Sequence, residues 1–197
     1  MSRKQERAVR TYELVLDAAA TEFARRGYQR TNLQDVALST GLTKGALYGH
    51  FSSKEVLAAT LTEMFDRELT RLADEAAAEH DSAIGQLCTF VRRFAVRLYT
   101  DVRISAALRL SIDQAIESSQ PPTCLNRLRR HISRLVTTAR QDGQLKAGCP
   151  AEPLADLLVA ALVGAHYTAP AEADTLPERV SAMWRLILPC VTDPGPG

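Results

Sequence analysis

The sequence predicts an all-α fold. Apolar residues recur at spacings of three and four from one end of the chain to the other, and helix caps and glycine stops punctuate those runs. No segment alternates apolar with polar residues as a half-buried strand would.

Val9, Tyr12, Val15, Leu16, Ala19 and Phe23 define a first helix over about 6–26. It stops at Arg25-Arg26-Gly27, where two bases suit the helix's negative end and glycine breaks it. Thr31-Asn-Leu-Gln34 reads as a capping box opening a short helix that buries Leu33, Val36 and Ala37 and ends at Gly41. Thr43 caps a third helix, with Leu42 and Leu47 as the apolar pair bracketing the cap. Ser52-Ser-Lys-Glu55 reads as a second capping box, flanked by Phe51 and Val56. A long helix follows from Ser53 to about His80, carrying Leu57, Leu61, Phe65, Leu69, Leu72 and Ala76. Further helices are expected over 82–99, 102–117, 124–142, 151–167 and 176–190, about nine in all. The breaks fall at Asp101, Ser118–Pro122, Gly143–Pro150 and Ala169–Thr175. The expected organisation is a three-helix head over residues 1–52 and a helical bundle over 53–197.

Composition gives this outline a direction. The net charge of the 197 residues is only +1, but it is unevenly spread. Residues 1–54 hold nine Lys/Arg against five acids, and the remainder holds fifteen against eighteen. A basic head on a mildly acidic body points to an anionic partner at the head. The N-terminal MSRKQERAVR has no apolar core of a secretory signal, and the most apolar run, Leu157–Ala165, is about half a bilayer span. A cytoplasmic protein without membrane contact is expected. Cys88, Cys124, Cys149 and Cys190 are scattered, so no metal site or cofactor is predicted, and no catalytic Ser/His/Asp grouping or phosphate loop appears. Cys124, beside Pro121-Pro122 at a helix start, keeps a redox-sensing thiol open.

The second and third helices, split by Ser39-Thr-Gly-Leu42, make a helix-turn-helix, whose second helix enters the DNA major groove. That reading accounts for the glycines in TKGALYGHF, residues 43–51. Leu47 and Phe51 face inward, while Lys44, Tyr48 and Gly49 face out. A side chain at Gly45 would hold the backbone away from DNA. Lys44 suits a guanine acceptor or a phosphate; Tyr48, His50 and Lys54 suit flanking phosphates, joined by the hydroxyls of Thr31 and Thr43.

Residues Ala18–Leu57, with the pattern from Phe23-A-R-R-Gly27-Tyr through Gly45-A-Leu-Tyr-G-His-Phe to Lys54 and Leu57, resemble the DNA-binding domain of the tetracycline-repressor (TetR) family. The resemblance implies a homodimeric repressor that binds a pseudo-palindromic operator and is released by a small molecule. It places DNA contacts at Thr31, Thr43, Lys44, Gly45, Ala46, Tyr48, His50 and Lys54. Gly49 stands where many members carry a larger residue. TKGALY and ALRLSIDQA, residues 107–115, are similar to the γ-butyrolactone receptor group, which implies a lactone or another apolar metabolite as effector. That group has a pocket tryptophan early in the seventh helix; Leu128 stands there, and the single tryptophan is Trp184.

Inward-facing side chains of the bundle give the pocket candidates Phe90, Phe94, Leu110, Gln114, Leu128, Ile132, Leu135 and Tyr167, with His166 as a possible donor. Two apolar stripes, Leu154, Leu157, Leu158, Ala161, Leu162, Ala165 and Val180, Met183, Trp184, Ile187, Leu188, are expected at the dimer interface. A redox-sensing or ligand-independent regulator, and a helical interaction protein that binds no DNA, are the alternatives.

Overall fold

Nine helices follow one another among the described residues (3–119, 123–168 and 175–192) of a computed structural model. They are α1 (Arg3–Arg30), α2 (Leu33–Thr40), α3 (Lys44–Tyr48), α4 (Lys54–Glu79), α5 (Ala83–Thr100), α6 (Val102–Ser118), α7 (Thr123–Gln141), α8 (Ala151–Tyr167) and α9 (Leu176–Val191). The breaks expected at 118–122 and 169–175 fall largely outside the described residues.

The chain divides into two compact units: residues 1–66 with 101–124, and 67–100 with 125–197. This division departs from the boundary expected after residue 52. In the first unit α6 packs along α1, so a helix distant in sequence joins the N-terminal head. Arg103 of α6 pairs with Glu13 and Asp17 of α1, both at 2.6 Å, and Gln29 Nε2 donates to Glu117 at 2.8 Å. Val15, Leu16, Ala19, Ala20 and Phe23 of α1 are buried, as are Leu33, Val36 and Ala37 of α2, Leu47 of α3 and Phe51.

Two caps sit one residue away from their expected places. Asn32, not Thr31, caps α2, its Oδ1 accepting from Gln34 N at 2.9 Å. Thr31 is instead buried, its hydroxyl donating to the Gly27 carbonyl at 2.8 Å. The cause is Gly27, buried at φ 76° and ψ 178°, which breaks α1 and brings that carbonyl round to Thr31. At α4 the Val56 N–H is met by Ser53 Oγ at 3.4 Å, rather than by a box built on Ser52. Thr43 caps α3 as expected, its hydroxyl accepting from Ala46 N at 3.2 Å.

In the second unit α5, α8 and α9 pack on one another. Phe90 and Phe94 of α5 and Leu128 and Ile132 of α7 are wholly buried, and the Phe90 ring lies 4.2 Å from that of His131. Arg129 of α7 holds Glu152 and Asp156 of α8. Lys146 reaches the C-terminal end of α9, its Nζ donating to the Pro189 carbonyl at 2.9 Å.

The apolar stripes of α8 and α9 split in two. Leu154, Leu158, Leu162, Ala165, Val180 and Trp184 are buried within the single chain. Of the other expected interface residues, Ala161, Ile187 and Leu188 are half-buried and Leu157 is 52% exposed. Leu186, absent from the predicted stripe, is 74% exposed.

Candidate nucleic-acid interface

The helix-turn-helix is assembled from the turn outward. Gly41 ends α2 at φ 68°, a conformation glycine adopts without strain, and its N–H reaches back to the Ala37 and Leu38 carbonyls. Leu42 N then donates to Ala37 O at 3.1 Å, which fixes the chain's entry into α3. Leu47 and Phe51 are each about 1% exposed and hold α3 from behind. Phe51 stacks on Tyr12 of α1 with centroids 4.7 Å apart, and His50 meets the same ring edge-on at 6.4 Å.

What α3 leaves outside is Lys44, Gly45, Tyr48 and Gly49, with Thr43 at its start; Ala46 and His50 stand beside them, His50 half-buried. Tyr48 is 47% exposed although large and apolar. Gly45 has no atom within 4 Å of where a Cβ would stand. A five-residue helix with a bare face and an unburied aromatic would be poor design for a packing element alone, since isolated helices this short are unstable in water.

Two of the eight predicted contact residues are engaged within the first unit. Thr31 is 3% exposed. Lys54 Nζ donates to the carbonyls of Tyr28 (2.9 Å) and Thr31 (3.2 Å), and lies 4.2 Å from the Tyr28 ring centroid. It thereby caps the chain leaving α1. The Tyr28 hydroxyl donates to Glu55 at 2.8 Å. Burial, then this bond to a carboxylate, pushes the phenol up to about 12. Glu55, held first by the Ser53 hydroxyl, is drawn down to about 2.

Asp113 was invisible to pattern reading. From α6 its Oδ2 accepts the Tyr28 N–H at 2.9 Å, and its other oxygen takes Arg109 Nε at 2.9 Å. The carboxylate stands where a side chain on Gly27 would be. No local motif announces such a contact, because Tyr28 and Asp113 are 85 positions apart.

The predicted pocket residues are divided between the two units: Leu110 and Gln114 sit on α6 in the first, and the others belong to the second. Phe90, Phe94, Leu128 and Ile132 are close-packed core of the second, and Tyr167 is exposed, its ring against that of His166. Burial pulls His166 below the ordinary histidine range. Leu135 alone borders an open cleft of about 290 Å³, between α4, α5 and α7, whose polar lining includes Asp74, Gln86, His131 and Arg134. That size is at the low end for ligand pockets, roughly 300–1,000 Å³.

The redox reading is corrected at Cys124. Its thiol is fully buried and donates to the Ala107 carbonyl at 3.7 Å, and burial pushes it up to about 11. A thiol so raised is protonated near neutral pH and is a weak nucleophile. Thiol titration of the native protein at pH 8 should label exposed Cys190 first and Cys124 only on unfolding. Rapid labelling of native Cys124 would restore the redox reading.

Residues 15–61 match the model of the bacterial regulatory proteins of the tetR family. Over these residues the chain carries the DNA-binding domain of the tetR family. The A-factor receptor protein of Streptomyces griseus is 29% identical over 98% of this chain and 67% of its own length. A crystal structure of a γ-butyrolactone receptor, an ArpA-like protein, superposes with a TM-score of 0.80 at 26% identity, covering 94% of this chain and 90% of that one. CprB from Streptomyces coelicolor, in complex with its biological operator sequence, gives a TM-score of 0.76 at 27% identity over 95% and 90%. Among the described residues, no helix is long and apolar enough to cross a membrane.

Proposed function

We propose that the chain is a ligand-responsive transcriptional repressor that acts in the cytoplasm, binds a pseudo-palindromic operator as a homodimer and carries no enzymatic activity. One observation carries this reading: α3 is pinned from behind by Leu47 and Phe51 and presents Lys44, Gly45, Tyr48 and Gly49 bare. In this role Lys44 reaches a guanine edge or a phosphate, Tyr48 and His50 hold flanking phosphates, and Gly45 admits the backbone close to the groove. Thr43 and Ala46 border the same face. Thr31 and Lys54 act behind it, by fixing the turn between α1 and α2.

The second copy would lie on the outer apolar face of α8 and α9, where Leu157 and Leu186 stand exposed. Two heads then meet successive major grooves of the operator. The relative that is a γ-butyrolactone receptor supports a small lactone or comparable apolar metabolite as effector. Such a ligand releases DNA only by binding better to a state whose heads do not fit the operator.

Lys44→Ala and Tyr48→Ala are each expected to raise the dissociation constant for duplexes from the gene's own upstream region by roughly 10-fold or more, about 1–3 kcal/mol. Fluorescence anisotropy at fixed salt reads the effect, and size-exclusion chromatography shows that the dimer persists. Unchanged affinity of both variants would remove α3 from the role of recognition helix.

A further inference from the structure

The cleft of about 290 Å³ between α4, α5 and α7 is lined by residues of 73–86 and 131–142, so the second unit builds it whole. Part of its lining is apolar and fixed: Ala76, Ala83 and Leu135 are buried there. Three alanines of α4, Ala73, Ala76 and Ala77, leave a space that longer side chains would fill.

Asp74, Asp81 and Asp142 stand exposed on the same lining. Among the described residues none of the three pairs with a cation; Asp142 takes only Gln144 Nε2, at 3.5 Å. Every other described acid of this unit is engaged. Glu68, Glu75 and Glu79 hold Arg71, Arg93 and Arg97, Glu152 and Asp156 hold Arg129, and Glu178 closes the cap of α9. The carboxylates that this unit leaves without a partner are therefore all at one cleft.

Against them the lining sets Arg134, whose Nη2 donates to His131 Nδ1 at 3.1 Å. His131 adds no charge near neutral pH, because burial, then Arg134, pulls it down to about 4. Three carboxylates facing one guanidinium favour a cationic occupant. The spacing of the acids decides its shape. Among the described residues no three His, Cys, Asp or Glu side chains come together as a metal ion would need. The acids instead border the cleft separately and share it with buried apolar carbon.

A short run of methylenes carrying more than one ammonium group answers both features. Its carbon covers the apolar lining while its charges meet separate carboxylates. Aliphatic amines titrate near the lysine value of about 10.4, so they are charged at neutral pH. The cleft has room for roughly ten water-sized groups, which suits a short chain of this kind.

We propose that this cleft is a binding site for a short aliphatic di- or polyamine, with ammonium groups on Asp74, Asp81 and Asp142 and methylenes against Ala76 and Leu135. Its chemistry is distinct from that of an apolar effector, and the site stands whether or not the chain binds DNA.

Isothermal titration calorimetry of the full-length protein at fixed ionic strength compares spermidine, putrescine, butylamine and succinate. Spermidine and putrescine should bind once per chain, each roughly 3-fold or more tighter than butylamine, and succinate should not bind. Replacing Asp74, Asp81 and Asp142 together by Asn should weaken spermidine roughly 10-fold or more, and Arg134→Gln should tighten it roughly 2–5-fold. The three aspartates hold no cation, so the triple variant should keep the wild-type circular dichroism and thermal midpoint. Ala77→Leu, which narrows the cleft without touching a charge, should weaken spermidine as well. If spermidine at about 1 mM leaves the wild type unoccupied, the site is overturned. It is equally overturned if the triple variant and Ala77→Leu bind spermidine as tightly as wild type, or if butylamine binds as well as spermidine.

Discussion

Gly27→Ala is expected to lower the thermal midpoint by roughly 5–15 °C and to weaken operator binding with it. The backbone at Gly27, φ 76° and ψ 178°, lies in a region that side-chain-bearing residues avoid at about 1–3 kcal/mol. An added Cβ would also overlap Asp113 Oδ2. Were that carboxylate pushed off, the Tyr28 N–H would be left without its acceptor, a further penalty of about 1–3 kcal/mol if no water replaced it. Together these give up to about 6 kcal/mol, or about 2–4 kcal/mol where water partly replaces the lost acceptor, and at about 2–4 °C per kcal/mol that smaller figure gives the stated shift. The damage reaches DNA binding because the same turn positions Thr31, Tyr28 and, through Lys54, the start of α4. Asp113→Ala removes the overlap, so the double variant Gly27→Ala/Asp113→Ala should be destabilised by less than the two single changes summed. Thermal unfolding of the four proteins measures this coupling. Strict additivity would show that Gly27 and Asp113 do not act as one clamp.

That clamp also marks the limit of what could be read from the sequence. Helix positions were legible because the apolar period and its stops are local: Gly41 ends α2, and Thr43 caps α3 where expected. The inward pair Leu47 and Phe51 was legible for the same reason, since four-residue spacing puts both on one face. The caps at 31 and 52 slipped by one residue because Thr31 and Asn32, like Ser52 and Ser53, are neighbours with equivalent capping chemistry. Only the turn at Gly27 decides between the first two. The place of α6 was not legible at all. Its apolar face announces burial, but periodicity does not say which helix covers it, and Arg103, Arg109 and Asp113 look like ordinary surface charges in sequence. The stripes of α8 and α9 were ambiguous in the same way. Both helices are apolar on more than one side, so Trp184 and Leu158 could be buried within the chain while Leu157 and Leu186 stay outside.

Gly45 separates a demand of the fold from a demand of the DNA. Positive φ among the described glycines occurs at Gly27, Gly41 and Gly143, so Gly45 has a backbone any residue can adopt. Nothing lies within 4 Å of its absent Cβ. Gly45→Ala should therefore raise stability, by up to about 1 kcal/mol, because alanine is the better helix former. Gly45→Leu should fold equally well, since its side chain enters open space. Both are expected to bind operator less tightly than wild type, the alanine variant modestly and the leucine variant by roughly 100-fold or more, because the added atoms occupy the gap through which the α3 backbone meets the groove. Gly49 gives an internal contrast: it is also exposed, but a Cβ there would press on the Gly45 carbonyl at 3.3 Å, so its substitution mixes fold and function. Thermal midpoints and operator affinities of the two Gly45 variants decide the matter. A leucine variant that is stable and binds at wild-type strength would place the DNA on some other face of the head. A variant that is stable but does not bind would show that an open space in the free protein is the imprint of its ligand.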